Sequence, residues 1–477
     1  MTPSIIVIVL IAYFVLLIFI SKITSKDSGN ESFFIGKRQS PWYIVAFGMI
    51  GASLSGITFI SVPGWVATSQ FSYFQMVLGY LVGYAVIATI LMPLYYRLNL
   101  TSIYSYLEDR FGFWSYKSGA FYFLLSRTIG ASFRLFLVAN VLQILVFDAW
   151  NVPFVVTVTL TIALIWVYTH KAGIKTIIWT DTLQTLFMIL AVLLCFYYVS
   201  DAMGFTISKA IEQIALSEYS KMFFLEDANS ASFFPKQFFS GAFIAIVMTG
   251  LDQDMMQKNL SCINIRDAQK NMFWFSIILV FVNLLFLALG ALLYLFANQV
   301  GILETGDDLF ASVAMHESMP IVVGLFFLLG LIAAAYSSAD SALTALTTSF
   351  CVDFLAIEKK EASKQIIIRK RSHILFSVLL FLVILIFKLI NDESVIAALF
   401  KVAGYTYGPL LGMYAFGLFT RWKIKDHLII PVVLLAPIIS YVLQLKAPEW
   451  WGFHFGFELL IVNGVLCFLG MLLIRKK

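Results

Sequence analysis

Apolar runs of about 20 residues recur along the whole chain, and most charged residues are confined to the short connections between them. A helix needs about 20 apolar residues to cross the hydrocarbon of a bilayer. Thirteen such spans lie near 4–21, 42–69, 72–96, 119–147, 152–169, 175–200, 237–257, 272–299, 319–352, 373–390, 393–419, 427–445 and 455–474. Of the 477 residues 61% are hydrophobic and 12% charged, with a mean hydropathy of +0.90. A soluble domain is nearer 45–50% apolar and about 25% charged. A secreted enzyme, a nucleic-acid binder and a disordered hub are excluded, and the sequence predicts an all-α, polytopic membrane protein. The four cysteines, Cys195, Cys262, Cys351 and Cys467, lie in or beside apolar segments without zinc or redox spacing, as small buried hydrophobes.

Orientation follows from the basic residues. No Lys or Arg precedes the first run, whereas Lys22 and Lys26 follow it. It is therefore no cleaved signal peptide, and the N-terminus is expected outside. Every second connection, beginning with 22–41, carries the positive charge: 24 of the 32 basic residues, including Lys258, Arg266 and Lys270. The other connections hold only Lys209, Lys221, Lys236 and Lys446. This segregation predicts an odd number of spans, a cytoplasmic Arg475-Lys476-Lys477 end and residence in the plasma (inner) membrane. Two stretches on the outer side, 201–236 with its amphipathic Ile207–Leu216 and the acidic 300–318, read as surface-lying helices or as a gate. No P-loop or soluble domain accompanies the spans, so the sequence gives no support to ATP-driven transport.

Charged residues at membrane depth are Arg127, Arg134, Lys388, Lys401, Asp181, Asp252, Asp254, Asp340 and Asp353. Each costs roughly 2.5–3.5 kcal/mol at a helix centre, so a partner or a site is the default expectation. Asp353 and Lys388 lie near span ends, where snorkelling to the interface accounts for them. In 319–352, Ser337, Ser341, Thr344 and Thr348 fall on one helix face. Close helix packing explains such a face, as does an ion site, and Asp340 beside it favours the ion, because packing needs no charge. Asp181 stands among Thr180, Thr182, Thr185 and Gln184 and is either a companion carboxylate or a simple helix-start acid.

Two spans are poor material for continuous helix. Span 42–69 contains Gly48, Gly51, Ser53, Ser55, Gly56, Ser61, Pro63 and Gly64; span 237–257 weakens at Thr249-Gly250-Leu251-Asp252-Gln253. Irregular backbone at membrane depth is tolerated where it lines a cavity. The two breaks lie five spans apart once the first helix is set aside, which predicts a five-plus-five inverted repeat with a midplane site between broken helices. The repeats would be 42–200 and 237–419, with 4–21 before them and 427–474 after. Arg127 and Arg134 share a face, and Arg134 either pairs with Asp252 or Asp254 or captures a solute carboxylate.

The segment Gly250-Leu251-Asp252-Gln253 with Gln257-Lys258 and Asp267-Ala268-Gln269, together with Ala334-x-x-Ser337-Ser338 and Trp179-Thr180-Asp181-x-x-Gln184, resembles the sodium:solute symporter family over essentially the whole length. The resemblance implies a leucine-transporter-type fold of about 13 transmembrane helices, with one extra N-terminal and two extra C-terminal helices. It also implies a sodium site formed by the carbonyls of Gly51, Leu54 and Ala334 and the hydroxyls of Ser337 and Ser338. Some members hold a further sodium at the positions of Asp181, Asp340 and Ser341. Here Asp340 stands where those members carry a hydroxyl, so a second cation or a proton is implied there. The solute would meet Ser53, Ser55, Thr58, Gln75, Tyr80, Arg134, Asp252 and Gln253. The run Ser55-Gly56-Ile57-Thr58-Phe59 is more similar to carriers of organic anions and sialic acid than to sugar carriers.

The expectation is a secondary-active sodium symporter importing a small polar solute, a carboxylate such as sialic acid or a sugar, by alternating access. It would be no enzyme, need no cofactor beyond Na+ as coupling ion, bind no nucleic acid, and act as monomer or homodimer in the bilayer. The rivals are a proton-coupled or other ion transporter of the same fold working through Asp340 and Asp181, a channel, and a membrane sensor. A channel would need a polar lining through several spans, and a sensor would need a signalling domain.

Overall fold

The computed structural model describes residues 3–24, 33–34, 36–169, 173–390 and 395–476, and these form helices joined by turns. In chain order the main helices are α1 (Pro3–Thr24), α2 (Trp42–Ser53), α3 (Gly56–Ser69), α4 (Tyr73–Arg97), α5 (Phe113–Leu142), α6 (Phe154–Thr169), α7 (Gly173–Ala202) and α8 (Ile207–Leu216). There follow α9 (Phe234–Ala245), α10 (Gln253–Leu260), α11 (Ile265–Val300), α12 (Ile321–Ser349), α13 (Ala362–Ile390), α14 (Val395–Thr406), α15 (Gly408–Phe419), α16 (Ile429–Trp451) and α17 (Leu459–Leu473). Helices close all their backbone hydrogen bonds internally, which is what hydrocarbon demands.

Eight of these helices are long and apolar enough to cross a bilayer singly, and three bent pairs raise the count to eleven spans. The shorter apolar segments Phe154–Val167 and Leu459–Leu473 stand at the two remaining expected positions. Helix ends differ most where charge begins. The expected start of span 373–390 moves back to Ala362 in α13, because a helix keeps its hydrogen bonds after its sequence has turned basic.

Two of the three bends fall where glycine and hydroxyl residues predict them: 54° between α2 and α3, and 65° between α9 and α10. The third, 45° between α14 and α15, was not expected. It sits at Tyr407-Gly408-Pro409, where the missing proline N–H and the ring clash interrupt the ladder.

The bundle is graded from centre to lipid. In the most apolar windows of α5 and α12, 72% of residues are buried, against 22% in α16. Close approach near the centre depends on small residues, as α4 and α9 show. A Cβ on Gly241 would lie 2.0 Å from the Met76 carbonyl oxygen, and one on Gly79 2.0 Å from that of Phe238. The two backbones touch at that crossing, so only glycine fits.

The connections also hold the bundle together. On the basic face, Ser40 donates its N–H to the Ser261 carbonyl (3.0 Å), Gln257 Nε2 donates to the Phe34 carbonyl (2.5 Å), and the Arg369 guanidinium lies 4.5 Å from the Phe33 ring centroid. On the opposite face, the Tyr294 hydroxyl donates to the Gly64 carbonyl (2.5 Å) and accepts from the Gly306 N–H (3.1 Å). Asp307 accepts there from Val395 N–H (3.4 Å). The amphipathic Ile207–Leu216 forms α8, whose N-terminus is capped by Thr206 accepting from Lys209 N–H (3.3 Å). Asp353 departs from the snorkelling expectation. It is fully buried in a widened turn at the end of α12, where it accepts from Tyr116 (2.9 Å) and Ser349 (2.5 Å).

Candidate functional site

The first break is built from residues that cannot hold a helix. The ladder of α2 ends with Leu54 N–H on the Ile50 carbonyl (2.8 Å), and Leu54 and Ser55 then leave helical backbone angles. Like any helix end, this leaves the last four carbonyls, those of Gly51, Ala52, Ser53 and Leu54, beyond the ladder. The hydroxyl face of α12 lies against them. Ser338 Oγ stands 3.4 Å from the Ala52 carbonyl oxygen and 3.3 Å from that of Ala334, and its single proton can serve only one of them. Unwound carbonyls beside hydroxyls are the oxygen set that suits Na+.

The first break also touches α7. Gly51 N–H donates to Thr185 Oγ1 (2.9 Å), which in turn donates to the Asp181 carbonyl (2.8 Å). A Cβ on Gly51 would stand 2.2 Å from that hydroxyl oxygen. Ser337 completes the junction by donating to Asp181 Oδ1 (2.7 Å).

The second break is tied differently. A widened turn at Ile246–Gly250 leads into it, and its freed carbonyls are taken by tyrosines: Tyr95 donates to Gly250 (2.9 Å) and Tyr104 to Leu251 (3.0 Å). Asp252 caps α10 by accepting from the N–H groups of Asp254 (3.0 Å) and Met255 (3.3 Å). Its other oxygen accepts from Tyr407 (2.6 Å), the residue at the third break. Arg127 lies 3.8 Å from Asp252 and forms a close ion pair with Asp254. The Ser341 hydroxyl donates to Asp254 as well. Lys258, one turn further along α10, places its ammonium 2.7 Å from Asp181 Oδ2 and 4.0 Å from Asp254 Oδ1.

Between these elements lies a cavity. Its polar lining includes Ser53, Ser55 and Thr58 from the first break, Tyr73, Tyr80 and Tyr84 from α4, and Thr249, Asn283, Arg127 and Arg134. Ile396, Leu399 and Phe400 of α14 supply an apolar wall. Arg134 is only 6% exposed, and its Nε and Nη1 hydrogen-bond to no described residue. Leaving a buried guanidinium short of partners is costly, and a planar anion is the kind of group that matches it.

The structure therefore brings the expected residues together in two groups. Gly51, Leu54, Ala334, Ser337 and Ser338 meet at the first break, although the carbonyl that Ser338 touches is that of Ala52. Ser53, Ser55, Thr58 and Arg134 line the cavity. Three expected solute contacts do not line it. Gln75 is held by the Ser232 carbonyl (2.8 Å) and Phe224 N–H (3.1 Å), and Gln253 by Ile103 N–H (2.9 Å) and the Thr101 carbonyl (2.8 Å). Asp252 is occupied by its cap, Tyr407 and Arg127. Backbone groups that a break leaves bare compete for exactly such side chains. The arginine that neutralises Asp252 and Asp254 is Arg127, not Arg134. Asp181 on α7 and Asp340 and Ser341 on α12 are all buried, but Asp181 is matched to Lys258 and Ser341 to Asp254.

Sequence reasoning missed Lys258, counted among the basic-face charges yet 1% exposed, and Tyr407. The glycine and proline after Tyr407 were the available sign. For Lys258 the sign was its place one turn after Asp254 on a helix of its own.

A family model described as sodium:solute symporter family matches residues 33–424. The sodium/sialic acid symporter NanT of Aliivibrio fischeri is 25% identical over 432 residues, covering 87% of this chain and 83% of that protein. The sodium/sialic acid symporter SiaT of Proteus mirabilis is 23% identical over 421 residues, covering 83% and 81%. A solved structure of a Na+-coupled sialic acid symporter in a substrate-bound outward-open state superposes with a TM-score of 0.83 at 20% identity, over 99% of both chains. That likeness shows the fold, an all-helical inverted-repeat membrane architecture.

Proposed function

From the premise that this chain belongs to the sodium:solute symporter family, we propose that its solute is a small, hydroxylated organic anion carried on a carboxylate. The protein is a multi-pass membrane transporter that couples solute movement to Na+; it is not an enzyme and uses the ion alone for coupling. The observation that carries the choice of solute is Arg134, whose buried nitrogens face a cavity otherwise rich in hydroxyls. A planar guanidinium matches a carboxylate through two parallel hydrogen bonds. The tyrosine, serine and threonine hydroxyls and the Asn283 amide suit the alcohols of a sugar acid such as sialic acid, the solute named for the two relatives.

Coupling has a structural basis in the first break. The carbonyls of Gly51 and Leu54, with Ala334, Ser337 and Ser338, would hold Na+, and Ser53, Ser55 and Thr58 on the same unwound stretch face the solute. An ion that orders this stretch presents the solute contacts, and by linkage the solute tightens the ion by the same factor. With the basic face cytoplasmic, inward sodium flow would gain about 2.3 kcal/mol per charge per 100 mV of membrane potential.

The test is uptake by the purified full chain in proteoliposomes under an imposed sodium gradient, with choline as the control ion. Sialic acid, a short monocarboxylate and a neutral hexose would be offered in parallel. Sodium-dependent accumulation of a carboxylate but not of the hexose is expected. Accumulation of the hexose alone would overturn the choice of an anion.

A further inference from the structure

The family pattern offers a second cation position at Asp181, Asp340 and Ser341, and in this chain an ammonium group stands against the first of these. Lys258 Nζ lies 2.7 Å from Asp181 Oδ2, with Asp254 at 4.0 Å. Lys258 is 1% exposed and Asp181 fully buried. Two further oxygens near this point are committed: Asp181 Oδ1 accepts from Ser337 (2.7 Å), and Asp254 accepts from Ser341. Three helices meet there, α7 through Asp181, α12 through Ser337 and Ser341, and α10 through Lys258.

We propose that the Lys258 ammonium is the resident cation of this second position, so that a single exchangeable sodium site, the one at the first break, remains. A monovalent cation at Asp181 would stand where the ammonium already neutralises the carboxylate, and the two charges would repel in a medium of low dielectric. Sodium and an alkylammonium share charge and a preference for oxygen, but the lysine is tethered and cannot leave with the solute. The position then contributes charge balance and helix alignment without contributing an ion to transport. This inference rests on the sodium-coupled reading above. It differs from a merely structural ion pair in one respect: removing the ammonium should create a sodium site rather than only weaken the fold.

The experiment counts sodium on the purified full chain with 22Na+, in parallel with thermal unfolding in sodium chloride and in choline chloride. The wild type is expected to bind one Na+ per chain and K258M one more. The double variant K258M/D181N, which removes both charges, should return to the wild-type number. Sodium should also raise the unfolding temperature of K258M more than that of the wild type, since the ion replaces the lost charge. Two ions on the wild type, or no gain in a folded K258M, would overturn the inference. If K258M does not fold in any salt, the wild-type count still decides. The first-site reading fails at a wild-type number of zero, whereas this inference fails at two ions on the wild type or at no gain in a folded K258M, so either can fail alone.

Discussion

The two broken spans that flank the cavity begin from the same weakness and end in opposite states. Both interrupt a helix at glycine in mid-membrane, and both free backbone carbonyls that hydrocarbon cannot solvate. At the second break, Tyr95 and Tyr104 take those carbonyls, Asp252 caps the next helix, and Arg127 pairs with the acids. At the first, no tyrosine is supplied. Among the described residues, the side-chain hydroxyl found against its freed carbonyls is that of Ser338, and the nearby Arg134 keeps nitrogens that hydrogen-bond to no described residue. The same division separates two arginines seven residues apart on α5, one spent on the fold and one left over. A bare polar group costs about 1–3 kcal/mol, and its persistence at the first break is what the proposed ion and solute would relieve.

That contrast can be broken or sharpened by substitution. The largest effect is expected from D254A, which leaves Arg127 short of its close partner and should destabilise by about 3–5 kcal/mol. Thermal unfolding in detergent would measure it, and an unchanged midpoint would remove the structural role of the second break. R134A should leave unfolding nearly unchanged while weakening solute binding by about 2–5 kcal/mol, about thirtyfold or more; R134K should recover only part of this, because a point charge lacks the fork. Solute-induced stabilisation reads this directly. Y104F should cost about 1–3 kcal/mol of stability through the orphaned Leu251 carbonyl, with no change in the sodium concentration for half-maximal uptake. Smallest is S338A, expected to raise that sodium concentration on the order of tenfold, about 1.4 kcal/mol, with stability held. If Y104F and S338A exchanged phenotypes, the assignment of the two breaks would be reversed.

The sequence carries the fold well and the site unevenly, for physical reasons. Hydrocarbon thickness and the bias of basic residues operate over 20-residue windows, so spans and their alternation are written plainly. Breaks made of glycine and hydroxyl residues are visible too, because no apolar helix would choose them. Partner choice is not local. Arg127 and Arg134 occupy the same face of α5, and only the docking of α10 decides which meets Asp254. Gln75 and Gln253 look like solute ligands by type, yet neighbouring backbone claims them. Lys258 falls in a segment whose composition suits a loop, and only the 65° bend swings it back into the bundle. The proline signal at Gly408-Pro409 was present, but an apolar run around it conceals a bend of 45°.

The first break has one consequence for how such a chain diversifies. Three of the five ion ligands proposed there are main-chain oxygens, which outlast replacement of the side chains attached to them wherever, unlike at Gly51, the packing leaves room for one. On the proposed reading, Ser53, Ser55 and Thr58, on the same stretch, would be open to mutation without dismantling the coupling machinery. A lineage built on this plan can trade one cargo for another while its power source stays untouched.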